Sequence, residues 1–117
     1  NTVECHQSDI MLKKFREARS QDAVRSRAYT GKPARQLRTE WTDAWDDPAN
    51  PDPLGMPLQY MLNSEALERI RRAGKEELMG TPIGQLVGSF EEVRTVAEVV
   101  AQLKDEYTRT VAALPQL

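Results

Sequence analysis

Residues 29–41 read YTGKPARQLRTEW, and the conformation assigned to them decides the rest of the chain. Just upstream, AVRSRAY (23–29) alternates Val24, Ser26 and Ala28 with Arg25, Arg27 and Tyr29. That is the two-residue period of a strand, with the side carrying Arg25, Arg27 and Tyr29 turned to solvent or to a ligand. Tyr29-Thr30-Gly31 then turns the chain. Pro33 predicts a helix start, because a proline in the first helical turn gives up an N–H that would have no partner there. Ala34, Leu37, Trp41, Ala44 and Trp45 form the apolar stripe of this predicted helix, and Asp46, Asp47 and Pro48 end it. On that reading Arg35 and Arg38 share one face near the helix N-terminus. The macrodipole is already positive there, and each cation is disfavoured by about 0.3–1 kcal/mol. Two explanations stand side by side: an anionic partner, or neutralisation by Glu40, Asp43, Asp46 and Asp47.

Working outward, SDIMLKKFREAR (8–19) predicts a helix capped by Ser8 or Asp9, with Met11, Phe15 and Ala18 on one face. DDPANPDPLGMP (46–57) carries four prolines and a glycine and excludes both helix and central strand. Residues 57–73 hold two short helical patterns, one led by Leu58, Met61 and Leu62 and one by Leu67, Ile70 and Ala73. Asn63 or Ser64 caps between them, and Gly74 stops the second. In TPIGQLVGSF (81–90), Pro82 opens one helical turn. Thr95-Val96-Ala97-Glu98 is a capping box. It starts a last helix whose stripe is Val96, Val100, Leu103, Tyr107, Val111 and Leu114. A single strand cannot form a sheet, so its partner lies in a segment that reads as loop or outside the chain.

The chain has 117 residues, 39% of them apolar and 29% charged, with a net charge of −2. This is a globular composition, and the acidic balance argues against nucleic acid as partner. The one cysteine, Cys5, cannot form an internal disulfide, which predicts a cytoplasmic protein with a small buried thiol beside a surface imidazole, His6. No run of apolar residues is long enough to span a membrane. The first residue is Asn rather than Met, as expected of a piece of a longer polypeptide.

Chemistry-bearing residues are few. Gly84 and Gly88, four apart, allow close backbone approach either to another element or to a flat or phosphorylated ligand, and Gln85 between them offers donor and acceptor. No catalytic set, P-loop or dinucleotide fingerprint appears, and no metal-ligand spacing. Trp41 and Trp45 continue an apolar stripe, and Glu91-Glu92 precedes the last helix as an acidic first turn.

Taken in order, AVRSRAYTGKPARQLRTEWTDAWDDPANPDPLGMPLQYM, GTPIGQLVG and VRTVAEVVAQLKDEY resemble the C-terminal part of the nitronate monooxygenase (2-nitropropane dioxygenase) family. The resemblance runs from about residue 3 to 114 and rests on the (S/T)-G-(K/R)-P-A-R-x-L-R segment together with the later G-Q-x-x-G segment. It implies a mostly α fold with minor β, built as the substrate-side insertion and closing helix of an FMN-binding (β/α)8 barrel. Residues 1–5 would end a barrel strand region, 6–90 would form the helical insertion and 91–117 the closing helix. The full-length parent would oxidise alkyl nitronates with O2 on FMN, and the isolated chain would be inactive. The family's catalytic histidine and phosphate loops lie outside this stretch, so no catalytic residue is implied here. Tyr29, Lys32 and Arg35 would sit on the substrate side, facing an alkyl nitronate or similar anion. Gly84 and Gln85 would approach the flavin. Residues 96–114 would lean on the remainder of the barrel or on another chain. The rival reading is a stand-alone helical module that binds an acidic partner through Arg25, Arg27, Lys32, Arg35 and Arg38.

Overall fold

The computed structural model describes residues 2–5, 7–89 and 92–115. Among them are four α-helices, three short 3-10 turns and a two-stranded sheet, an α+β chain. It divides into two compact units, Ser8–Ser89 and a second one formed by Asn1–Gln7 with Phe90–Leu117. His6 and Glu91, assigned above to a surface imidazole and an acidic first turn, lie outside the described residues.

In the Ser8–Ser89 unit, helix α1 (Asp9–Glu17) is capped by Ser8, whose hydroxyl accepts from Met11 N. Strand β1 (Ala23–Ser26) is followed by a turn and by strand β2 (Ala34–Leu37), paired antiparallel in the register Ala23↔Leu37, Val24↔Gln36, Arg25↔Arg35 and Ser26↔Ala34. The helix predicted from Pro33 is therefore wrong in its first half. The missing strand was hidden in the segment that read as helix, because an apolar spacing of three (Ala34, Leu37) suits a helix and leaves a four-residue strand unseen. Helix α2 (Glu40–Asp46) starts only at the next cap, where the Thr39 hydroxyl accepts from Thr42 N and the Thr42 hydroxyl is accepting in return from Thr39 N. Arg35 and Arg38 share no helix face; one lies on a strand and the other before a cap.

The second edge of β2 is covered. Leu37 N donates to Thr81 O (3.0 Å), Ile83 N donates to Arg35 O (3.2 Å), and Gln36 bridges Pro82. Pro82 thus opens no helix; it sits where an edge proline belongs, with no N–H to give to the ladder. The 3-10 turn of this segment comes later, at Val87–Ser89. A Cβ on Gly88 would stand 2.9 Å from Ala18 O, so this glycine serves close packing on the end of α1. Met11, Ala18, Leu37 and Met79 form the buried core, with Ile10, Phe15, Ile70, Ile83 and Val87 packed against it. Lys14 pins the segment over this core by donating to the carbonyls of Glu76 and Met79. Burial pulls its ammonium pKa down, against the opposing pull of Glu76 and Glu77.

Helix α3 (Leu58–Ala73) is continuous, without a cap at Asn63 or Ser64, and it ends at Gly74 in the left-handed conformation (φ 61°). Its burial inverts the expected pattern. Leu58, Met61 and Leu62 are exposed, and the buried residues of its first two turns are Gln59 and Asn63. The amide side chains are what the rest of the unit needs, as shown below.

In the other unit, Thr2 bridges Arg94 in parallel, and Val3 N donates to Arg94 O (3.0 Å). Helix α4 (Val96–Ala113) starts at the expected capping box, with Glu98 N donating to the Thr95 hydroxyl and Thr95 N to the Glu98 carboxylate. The Glu4 carboxylate, 92 residues upstream, accepts from Val96 N. No residue of α4 is buried, and its apolar stripe is open, from 46% exposure at Val96 to 71% at Tyr107. Cys5 is exposed rather than buried. Among the described residues no helix is long and apolar enough to cross a membrane.

The bonds from Thr95 hold the Glu98 carboxyl below its usual range. A depressed carboxylate pKa contributes stability that is present above the unfolded value and lost as pH falls through the folded one. The helical signal at 222 nm should therefore decline in acid from the α4 end. Thr95→Ala should weaken the helix by about 1 kcal/mol and flatten that acid limb; an unchanged limb would remove the cap from the account.

Candidate functional site

The hairpin tip, residues 27–33, is held by the proline-rich loop and the start of α3. Arg27 donates from Nε to Gly31 O (3.0 Å) and from Nη2 to Pro53 O (3.0 Å). Gly31 takes φ 82°, and a Cβ there would lie 2.2 Å from Leu54 O. Only a glycine permits that approach. Gln59 accepts from Leu54 N (2.9 Å) and donates to Ala28 O (3.1 Å), while Asn63 donates to the same Ala28 O (2.6 Å). Loop, tip and helix are thus joined by backbone contacts and buried amides.

The three residues expected on the substrate side part company here. Lys32 is exposed at the tip, and no carboxylate among the described residues lies within ion-pair distance of it. Arg35 is exposed but turns its guanidinium to Ala23 O (3.2 Å), although its cross-strand partner is a second cation, Arg25. Tyr29 packs into an aromatic row, 6.4 Å from Trp41, which lies 6.2 Å from Trp45. The Tyr29 hydroxyl is enclosed beside Gly80 and Thr39 and makes no short, well-aligned hydrogen bond among the described residues. Burial raises its pKa, and a long hydrogen bond with the Thr39 side chain pulls the other way, so the phenol stays protonated at neutral pH. Trp41 Nε1 and Gln36 Oε1 are likewise enclosed and unpartnered. Sequence reasoning had no signal for these three, since a lone polar atom inside a core shows only in coordinates.

Gly84 has nothing within 4 Å of the place a Cβ would occupy, and Gln85 is exposed with its backbone carbonyl accepting from the Ser20 hydroxyl (2.6 Å). Gly84 is therefore not a packing glycine, unlike Gly88. Among the described residues no cluster of His, Cys, Asp or Glu is arranged to hold a metal ion. Arg38 is paired with Asp43 (2.9 Å), as the neutralisation reading expected for it.

The chain is 46% identical over 122 residues to a Mycobacterium tuberculosis protein described as "Putative monooxygenase Rv1533", a match that takes in 99% of this chain. The chain spans about a third (32%) of the length of that relative. No family model matches the chain. No solved structure matches it.

Proposed function

We propose that the chain is the substrate-side insertion and closing helix of an FMN-dependent monooxygenase that oxidises alkyl nitronates with O2. The observation that carries this is the match of nearly the whole chain to part of the longer protein described as "Putative monooxygenase Rv1533". Two features of the fold support the barrel. The Thr2–Arg94 bridge is parallel, and parallel pairing needs a long crossover between its strands. Helix α4 follows it at once with an unpartnered apolar stripe, the face that helices of α/β folds lay on a parallel sheet. The rival module loses support because Arg27, Arg35 and Arg38 of its five cations are engaged within the chain.

Bound flavin would supply the electron acceptor that couples the nitronate to O2. The open backbone at Gly84 would leave room for a planar ring, and the exposed Gln85 amide could bond its edge; the phosphate cradle would belong to other parts of the parent. Lys32 attracts the anionic nitronate, no carboxylate among the described residues lying within ion-pair distance of its ammonium. The Tyr29 hydroxyl, kept protonated, has the Thr39 side chain beside it within the chain, and the ring would line the site.

The full-length gene product should carry a visible flavin spectrum that bleaches when an alkyl nitronate is added without O2. A colourless protein that takes up no added FMN would overturn the reading. Tyr29→Phe removes an enclosed hydroxyl whose neighbour is Thr39, so unfolding free energy should fall by no more than about 1.5 kcal/mol, while nitronate turnover falls because Tyr29 lines the site. Loss of stability with turnover intact would make the hydroxyl structural.

A further inference from the structure

Resting on that reading, we infer that Arg27 is a positioning residue: it fixes the peptide from which the Lys32 side chain springs, and so sets how well the nitronate is held. The Gly31–Lys32 peptide is gripped at both of its polar atoms. Its carbonyl, Gly31 O, accepts from Arg27 Nε (3.0 Å), and its N–H, on Lys32, donates to the Thr30 hydroxyl (3.3 Å). Gly31 N donates back to Arg27 O (2.9 Å), which closes residues 27–31 into a ring. The grip falls where the backbone needs it. Gly31 stands at φ 82°, and a glycine leaves the peptide beside it freer to rotate than any other residue does. The far side of the Arg27 guanidinium is anchored outside the turn, Nη2 donating to Pro53 O (3.0 Å). One planar group with donors on two edges therefore ties the peptide of Lys32 to the proline-rich loop. A lysine at position 27 would carry the same charge as a compact point without that fork. Lys32 itself is exposed, and ordering its long stem on an anion costs conformational entropy; a fixed root reduces that cost. Arg27 thus serves the anion through Lys32 and not as a second cation.

The test compares Arg27→Lys, Thr30→Val and Lys32→Met in the full-length holoenzyme. The readouts are KM for the nitronate of nitroethane and the calorimetric Kd of propanoate, an unreactive anion whose two oxygens share one charge as a nitronate's do. Lys32→Met removes an exposed ion pair and should raise both constants by about five-fold. Arg27→Lys keeps the charge and should still raise both, by about two- to four-fold, with kcat unchanged, the mark of lost binding rather than lost chemistry. Thr30→Val alters no charge and should shift them in the same direction. In the Lys32→Met background neither substitution should have a further effect, the non-additivity expected of residues that act through one group. The two variants remove different bonds, so a failure of one to fold leaves the other to decide. Both constants unchanged in Arg27→Lys and Thr30→Val, or full effects persisting without Lys32, overturns the inference and leaves the flavin reading standing. A fall in thermal stability with both constants unmoved overturns it too, and makes the bonds structural only. A holoenzyme that no nitronate bleaches overturns both.

Discussion

Gly31→Ala is expected to lower the stability of the Ser8–Ser89 unit by roughly 2–5 kcal/mol. Two costs add. Forcing an L side chain to φ 82° costs about 1–2 kcal/mol. Making room for a methyl group that would sit 2.2 Å from Leu54 O and 2.8 Å from Met56 N costs about 1–3 kcal/mol more. Both obstructing atoms are backbone, so no rotamer change relieves the clash. The melting temperature should fall by on the order of 10 °C or more, followed by the fluorescence of Trp41 and Trp45, which belong to the same unit. Gly55→Ala is the control, since nothing lies within 4 Å of its Cβ position and its φ is not positive. It should change stability by no more than about 0.5 kcal/mol. Equal tolerance of the two substitutions would mean that the tip is not held by the loop.

What the sequence disclosed depended on the range of the interactions involved. The starts of α1 and α4 and the end of α3 announce themselves through local chemistry: Ser8 and Thr95 satisfy donors within three residues, and Gly74 provides a left-handed stop. Strand β2 does not, because its evidence is Ala23, Val24 and Arg25 on one side and Thr81 to Ile83 on the other. Four residues cannot show a two-residue period above the noise of a proline and a threonine cap. The polarity of α3 misled for a deeper reason. Periodicity assumes that the buried face is apolar, but here the buried face serves backbone carbonyls at a turn, and the apolar residues are left outside. Of the candidate site, Lys32 is legible as a cation beside the turn, while whether an acid of the chain neutralises it is not. The enclosure of the Tyr29 hydroxyl was not, since it depends on Gly80, 51 positions away. Gly84 and Gly88 look alike in sequence and differ in space: one is open, and the other lies against Ala18.

That inverted face of α3 gives the second large effect. Asn63→Asp keeps the shape of a residue that is only 2% exposed and replaces its two amide donors by acceptors. At neutral pH the carboxylate would stand where the amide now donates to Ala28 O at 2.6 Å and to Tyr29 O at 3.4 Å. Repulsion between oxygens adds to the cost of an unpaired buried charge, about 3–5 kcal/mol together. The sign of the pH response separates this account from simple loss of packing. Burial and the facing carbonyls would raise the new carboxyl's folded pKa above its unfolded value. A raised pKa contributes stability that is present below the unfolded value and lost as pH rises through the folded one. Urea unfolding of Asn63→Asp should therefore show recovery on acidification, when a protonated carboxyl again donates to Ala28 O. Asn63→Leu, lacking any proton to regain, should show no such recovery. Gln59 still donates to the same carbonyl, so the leucine variant should lose only about 1–3 kcal/mol. A pH-independent deficit in the aspartate variant would refute the view that the tip is held by amide hydrogen bonds.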